Sequence, residues 1–236
     1  MNDDAVLRIE RPAVARVALS GEDARDFLHR ITSNDTAGLA DGEGCATLLL
    51  ERTGRFVDRL IACECGDHRL LIGSPGRGEA VRAFLEKYVI ADDVEIRGLE
   101  ESHRLVTVLG AGAAEALREA LGAELGEMPR FHHRAVPGEE DARVVRAEDV
   151  GGAAYHVLFS PGGAVADALA AIPEADAAVW RKRRIAAGVP EFGEEYGDRT
   201  VSLETRMFDA IDLKKGCFVG QEVVARLHNY NRVKRG

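Results

Sequence analysis

Residues 214–226 read KKGCFVGQEVVAR, one cysteine set among two lysines and two glycines. The thiolate form of cysteine attacks electrophiles and binds metals, and nearby cations or a helix N-terminus lower a thiol's pKa. Lys214 and Lys215 precede Cys217, and Val223, Val224 and Leu227 follow Gly220 at helical spacing, which places a helix start nearby. Gly216 and Gly220 allow positive φ or a ligand's close approach to the backbone. The stretch could therefore do thiolate chemistry beside an anion. The plainer alternative is a small buried cysteine in a tight turn, although burying it beside two cations is awkward. From Leu213 onward six Lys/Arg (214, 215, 226, 232, 234, 235) face one acid, Glu222, in a chain of net charge −9. That local excess suits an anion site and equally a solvated basic segment.

Other residue types offer less. Cys63 and Cys65 lie two apart on a strand-like run and so share a face, but one thiol pair without a second is a poor zinc site, and apolar packing is expected there. His132 and His133 are adjacent, so on a strand they point opposite ways and share no metal. No metal site is expected. GSPGRGEA (73–80) lacks the Gly-Lys-Ser/Thr ending of a phosphate loop and the spacing of a dinucleotide fingerprint. It reads as a helix lead-in.

The elements that must position these groups follow from periodicity. AVARVAL (13–19) alternates as a strand, and Ser20 then starts a helix, with Asp23 at capping-box spacing and Ala24, Phe27, Leu28 and Ile31 on one face. Residues 33–44 form a loop. ATLLLE (46–51) and RFVDRLIACE (55–64) make a hairpin, and RLLIG (69–73) is a third strand. A helix carries Ala80, Phe84 and Tyr88. Strands are expected at 94–99, 104–110, 142–148 and 154–159, and helices at 111–122, 162–171 and 174–188. PRFHHRAVPGEEDA (129–142) and residues 188–206 read as loops. Hairpins with irregularly interspersed helices favour α+β with antiparallel sheets flanked by helices.

Composition bounds the function. A length of 236 residues fits one large domain or two small ones. The hydrophobic fraction of 46% and charged fraction of 30% are those of a globular chain. Net charge −9 argues against general nucleic-acid binding. Apolar runs reach about five residues, far short of the roughly 20 that a membrane span needs. The start, MNDDAVLRIERP, is neither a signal peptide nor an arginine-rich transit peptide. Reduced thiols in a cytoplasm are expected.

KGCFVGQE (215–222) followed by VAR resembles the signature of the YgfZ-type folate-binding proteins of the glycine-cleavage T-protein (aminomethyltransferase) superfamily, which has iron–sulfur assembly relatives. GEDARDFLHRITSND (21–35), GRFVDRLI (54–61), RLLIGSP…FLEKYVIADDVEI (69–96) and RRIAAGVPEFGEE (183–195) resemble further parts of that superfamily, so the likeness covers nearly the whole chain. It implies a T-protein-like fold of two intertwined subdomains, one inserted over about 46–135, and a C-terminal β-barrel that these 236 residues do not contain. It implies tetrahydrofolate, or a one-carbon-substituted folate, as cofactor. Asn34 and Asp35 then lie on a turn facing the folate cavity, and Asp58 takes about the place of the T-protein's catalytic aspartate. Cys217 becomes the working thiol, Lys215, Gly216, Gly220, Gln221, Glu222 and Arg226 become cofactor-binding residues, and the basic turn suits the folate's glutamate tail. Acceptors for the pterin N–H groups are Asp35, Asp58, Glu194 and Glu195. The sequence departs from the T-protein in two places. Arg59 follows Asp58 where two adjacent acids are usual, and EDVGGAAYHVLFSP (148–161) has Gly-Ala-Ala before Tyr155, with Glu148 and Asp149 upstream of the position of a folate-binding glutamate.

The implied function is a folate-binding accessory protein that supports iron–sulfur cluster assembly or repair, its partners being reduced folate and cluster-assembly proteins or client enzymes, with no nucleic acid or membrane involved. The alternatives are a folate-dependent aminomethyltransferase, a thiol redox or metal-handling protein without folate, and a module that only packs against a partner.

Overall fold

The computed structural model describes residues 5–230. Among the described residues, ten strands and six α-helices divide into two compact units, each discontinuous in sequence: residues 5–13 with 100–190, and residues 14–99 with 191–230. The boundaries expected for an inserted subdomain, 46 and 135, fall inside strands; the chain instead divides after Ala13, Leu99 and Pro190.

The first unit holds a five-stranded antiparallel sheet. Its strands are β1 (Leu7–Glu10), β7 (Arg104–Leu109), β8 (His133–Val136), β9 (Glu139–Arg146) and β10 (Ala154–Phe159), in the order β1-β7-β10-β9-β8. β10 is central and buried throughout, which is why AYHVLF reads as a nearly continuous apolar run. Helices α3 (Ala113–Leu121) and α4 (Gly163–Ala170) close a core of Val106, Val108, Leu117, Val144, Val157 and Phe159. A second cluster joins Ile9, Leu109 and Ala154 to Trp180 of α5 (Ala177–Ala186). Residues 129–142, expected as loop, contain β8 and the start of β9. Pro137 and Gly138, with Gly138 at φ 77°, turn the chain back in two residues, the residue types of a type II turn.

The second unit holds the antiparallel sheet β3-β4-β5-β2-β6. Its strands are β2 (Val14–Ser20), β3 (Gly44–Leu50), β4 (Phe56–Glu64), β5 (Arg69–Pro75) and β6 (Glu95–Gly98). Helix α1 (Ala24–Ile31) buries Ala24, Phe27, Leu28 and Ile31, the face its spacing specifies. Phe27, Leu28 and Ile31 each contribute about 1.5–3 kcal/mol on burial. Ser20 does not start this helix but ends β2. Asp23 is the N-cap residue without a capping bond, and its carboxylate accepts instead from Asp93 N–H at 2.7 Å. Helix α2 (Gly78–Glu86) buries Val81, Phe84 and Leu85, so Phe84 is shared with the expected face while Ala80 and Tyr88 lie at its margin. Helix α6 (Gln221–Tyr230) begins one residue after Gly220, as the spacing of Val223, Val224 and Leu227 requires. The two β-sheets flanked by helices are the α+β architecture read from the pattern. No helix among the described residues is long and apolar enough to cross a membrane.

Candidate functional site

Both candidate clusters lie in the second unit. The first is built on β4. Alternation along FVDRLIACE sends Asp58 to the same side as Phe56 and Leu60, into the protein, where it is completely buried. The neighbouring strand makes room for it: a Cβ on Gly73 would stand 2.5 Å from Asp58 Oδ2 and 2.9 Å from Leu60. A glycine in a strand interior here marks a close approach of another group. Arg59 N–H donates to Asp58 Oδ1 at 2.9 Å and Ser74 N–H to Oδ2 at 2.8 Å. Burial nevertheless dominates and raises the carboxyl to about 6, against the lowering effect of the Ser74 and Arg59 bonds and the Arg77 charge. Around it, Ser74 Oγ lies 3.5 Å from the Tyr196 hydroxyl, and burial followed by the Asp58 charge pushes that phenol above its ordinary range. Tyr196 packs against Phe56 (4.6 Å) and, edge-on, Phe192 (5.5 Å). Arg77 stacks over Phe192 at 4.1 Å while donating twice to Val57 O. The arrangement offers a dry carboxyl that exchanges its proton near neutral pH, beside a hydroxyl pair and an aromatic–guanidinium patch. Sequence spacing marks Asp58 but not Ser74, Tyr196, Phe192 or Arg77; GSPGR (73–77) matches no phosphate-loop pattern, and Phe192 and Tyr196 flank the acceptor candidates Glu194 and Glu195.

The second cluster is the turn that carries Cys217. Cys217 is exposed, whereas Cys63 and Cys65 are buried and Cys45 is half-buried. Burial, and then the Asp35 charge, push the Cys45 thiol up to about 12, and burial holds Cys63 well above the usual thiol range. Gly220, at φ 85°, is the glycine the turn needs: a Cβ there would lie 2.7 Å from Glu51 O in the β3–β4 connection. The next turn of α6 sets Val223 on Gly54, where a Cβ would be 2.9 Å from Val223 Cγ1. Gly216 has open space around it. Lys215 points inward: its ammonium donates to His29 O, to Thr32 O at 2.6 Å and to Asn34 O at 2.9 Å.

The structure distributes the other expected binding residues unevenly. Asn34 is committed to the backbone, its Nδ2 donating to Ala46 O (2.8 Å) and Asp209 O (3.0 Å) while its Oδ1 accepts from Asp35 N–H. Asp35 is exposed, caps Gly38 N–H at 3.1 Å and lies 3.3 Å from His29 Nδ1. Glu222 and Arg226 pair with each other at 3.3 Å on the exposed side of α6. Gln221 opens that helix half-buried. Glu195 accepts from Glu191 N–H at 3.0 Å. Of the six basic residues from Leu213 onward, those at 232, 234 and 235 lie outside the described residues. No group of three or more His, Cys, Asp or Glu among the described residues could hold a metal ion. In the first unit, a cavity of about 210 Å³ is lined by Val150, Gly151, Lys182, Arg183, Ala186 and Ala187. Its cations come from the RKRR run 181–184, a charge signal the sequence reading passed over inside a helix.

Comparison with known proteins follows the same lines. The family described as the GCVT N-terminal domain matches residues 4–215. A protein of Arabidopsis thaliana named "Putative transferase", chloroplastic, is 31% identical over 99% of this chain and 55% of its own length. An aminomethyltransferase of Prosthecochloris aestuarii is 28% identical over 86% of this chain and 60% of its own length. The chain thus spans little more than half of these relatives. The crystal structure of glycine cleavage system aminomethyltransferase T from Bartonella henselae superposes with a TM-score of 0.86 at 20% identity, covering 97% of this chain and 64% of that one; it speaks for the fold alone.

Proposed function

Since the chain belongs to the GCVT N-terminal domain family, we propose that it binds a reduced folate and acts as an accessory protein in iron–sulfur cluster assembly or repair, in a reducing cytoplasm, with Cys217 as its working thiol. The observation that carries this reading is the construction of the KGC turn. Lys215 and Gly220 anchor the chain on either side, and between them Cys217 alone of the four cysteines is exposed. The residues of the second unit suit a folate in kind. Asp58 supplies a carboxyl, held by the Arg59 and Ser74 amides, of the kind that pairs with pterin N–H groups. Phe192 and Tyr196 provide aromatic faces. A bound folate would supply the carrier for a one-carbon unit; Asp58 would orient it, and the dry surroundings of Asp58 would strengthen that bond.

Titration with tetrahydrofolate under anaerobic, reducing conditions should give saturable one-to-one binding in both the wild type and Cys217→Ser. Cys217→Ser should lose the ability to restore a cluster-dependent enzyme in extracts lacking this protein. In the folded wild type, iodoacetamide should label Cys217 before Cys45, Cys63 and Cys65. Full cluster support by Cys217→Ser, or labelling at equal rates, would overturn the thiol's role.

The second reading is folate-dependent aminomethyl transfer, favoured by the buried Asp58 and by the aminomethyltransferases among the relatives. Steady folate-dependent release of ammonia from an aminomethylated lipoyl carrier, lost in Asp58→Asn, would make this the better description.

A further inference from the structure

Lys215 and the Asn34–Asp35 turn look in the sequence like two sides of a ligand mouth. In the structure one ammonium group joins them. His29 and Thr32 stand in the last turn and at the C-cap of α1, where carbonyls have no partner within the helix. Lys215 Nζ donates to both, and to Asn34 O just beyond. An ammonium has three donors, and all three are used. The cation also faces the negative end of the helix dipole. The charged and titratable groups around it are His29 on α1, Asp35 on the turn, Cys45 on β3 and Asp212 on its own segment.

The chain before Lys215 is tied to the same turn. Asp212 N–H donates to Ser33 O, Ser33 Oγ donates to Ala210 O, and Asn34 Nδ2 reaches Asp209 O. We propose that Lys215 is a positioning residue for Cys217: its ammonium holds the thiol-bearing turn on the C-terminal end of α1 and so fixes how the thiol is presented. This rests on the reading of Cys217 as the working thiol. Arginine would not replace it, because a planar fork cannot aim three donors at three converging carbonyls.

The test is the alkylation rate of Cys217 by iodoacetamide, followed by mass spectrometry from pH 6 to 10.5, in the wild type, Lys215→Met and Lys215→Arg. The wild-type profile should need two ionisations, one from the thiol and one from Lys215, whose ammonium burial pulls down to about 8. Losing a charged bond moves a local equilibrium by roughly tenfold. Lys215→Met should therefore show a single ionisation and a plateau rate changed by about that factor, and Lys215→Arg should not restore the wild-type profile. A plateau rate in Lys215→Met equal to that of the wild type overturns the proposal. So does a second ionisation that persists in Lys215→Met, since Lys215 would then not be its source. If Lys215→Met does not fold, Lys215→Arg decides: a wild-type profile and plateau rate in that variant overturn the proposal. The readout involves neither folate nor a cluster enzyme, so failure of the functional reading, seen as full cluster support by Cys217→Ser, remains a separate result.

Discussion

At the scale of the residue, Asp58 is pulled two ways. Backbone amides stabilise its anion, while complete burial penalises it, and burial wins. Its folded pKa, about 6, lies above that of the unfolded chain, so the protonated form favours folding. The stabilisation is full below about pH 4 and is lost as pH rises through 6. A rise of two units corresponds to about 3 kcal/mol. The difference in urea midpoint between the wild type and Asp58→Asn should therefore change steadily from pH 4 to pH 7 and then level off. A difference that is flat over this range would mean that Asp58 has an ordinary pKa. The sequence marks Asp58 as a candidate, but its environment depends on Gly73 from β5 and on Tyr196, 138 positions later, and no local pattern announces that meeting.

At the scale of the element, the two glycines of the cysteine motif do unequal work. Gly220 sits at φ 85° with a backbone oxygen where a Cβ would go, and Gly216 sits in open space. Gly220→Ala should cost about 1–3 kcal/mol by strain and displacement of the β3–β4 connection, and Gly216→Ala less than about 0.5 kcal/mol. Thermal melting of the two variants side by side checks this, and equal shifts would mean the turn is not docked as described. The helices were legible because the buried side of α1 and the start of α6 follow from apolar spacing alone. The β8–β9 hairpin was not. Its short strands contain one histidine and several charges, and only the Pro137–Gly138 turn marked it.

At the scale of the whole molecule, each unit carries its own core, one around Val144 and Val157, the other around Phe27 and Leu60. A chain with two cores departs from two-state unfolding more readily than a single domain. Calorimetry should give a calorimetric enthalpy above the van't Hoff value. Val157→Ala and Leu60→Ala, each costing about 2–4 kcal/mol, should shift different parts of the transition. A single transition moved equally by both variants would show that the cores melt together.

The sequence by itself determined what depends on neighbours along the chain: strand alternation, the apolar faces of α1 and α6, the antiparallel α+β class, and the placing of one thiol in a glycine-bounded turn. It also carried the resemblance that pointed to the family. Only the tertiary structure decided what each polar group faces. It turned Lys215 from a presumed anion ligand into the cap of α1, because three carbonyls left over at a helix end converge on one point. It enclosed Asp58 behind a strand glycine. Side-chain partners separated by more than a hundred residues are set by how sheets and turns pack, and one-dimensional spacing does not encode that packing directly.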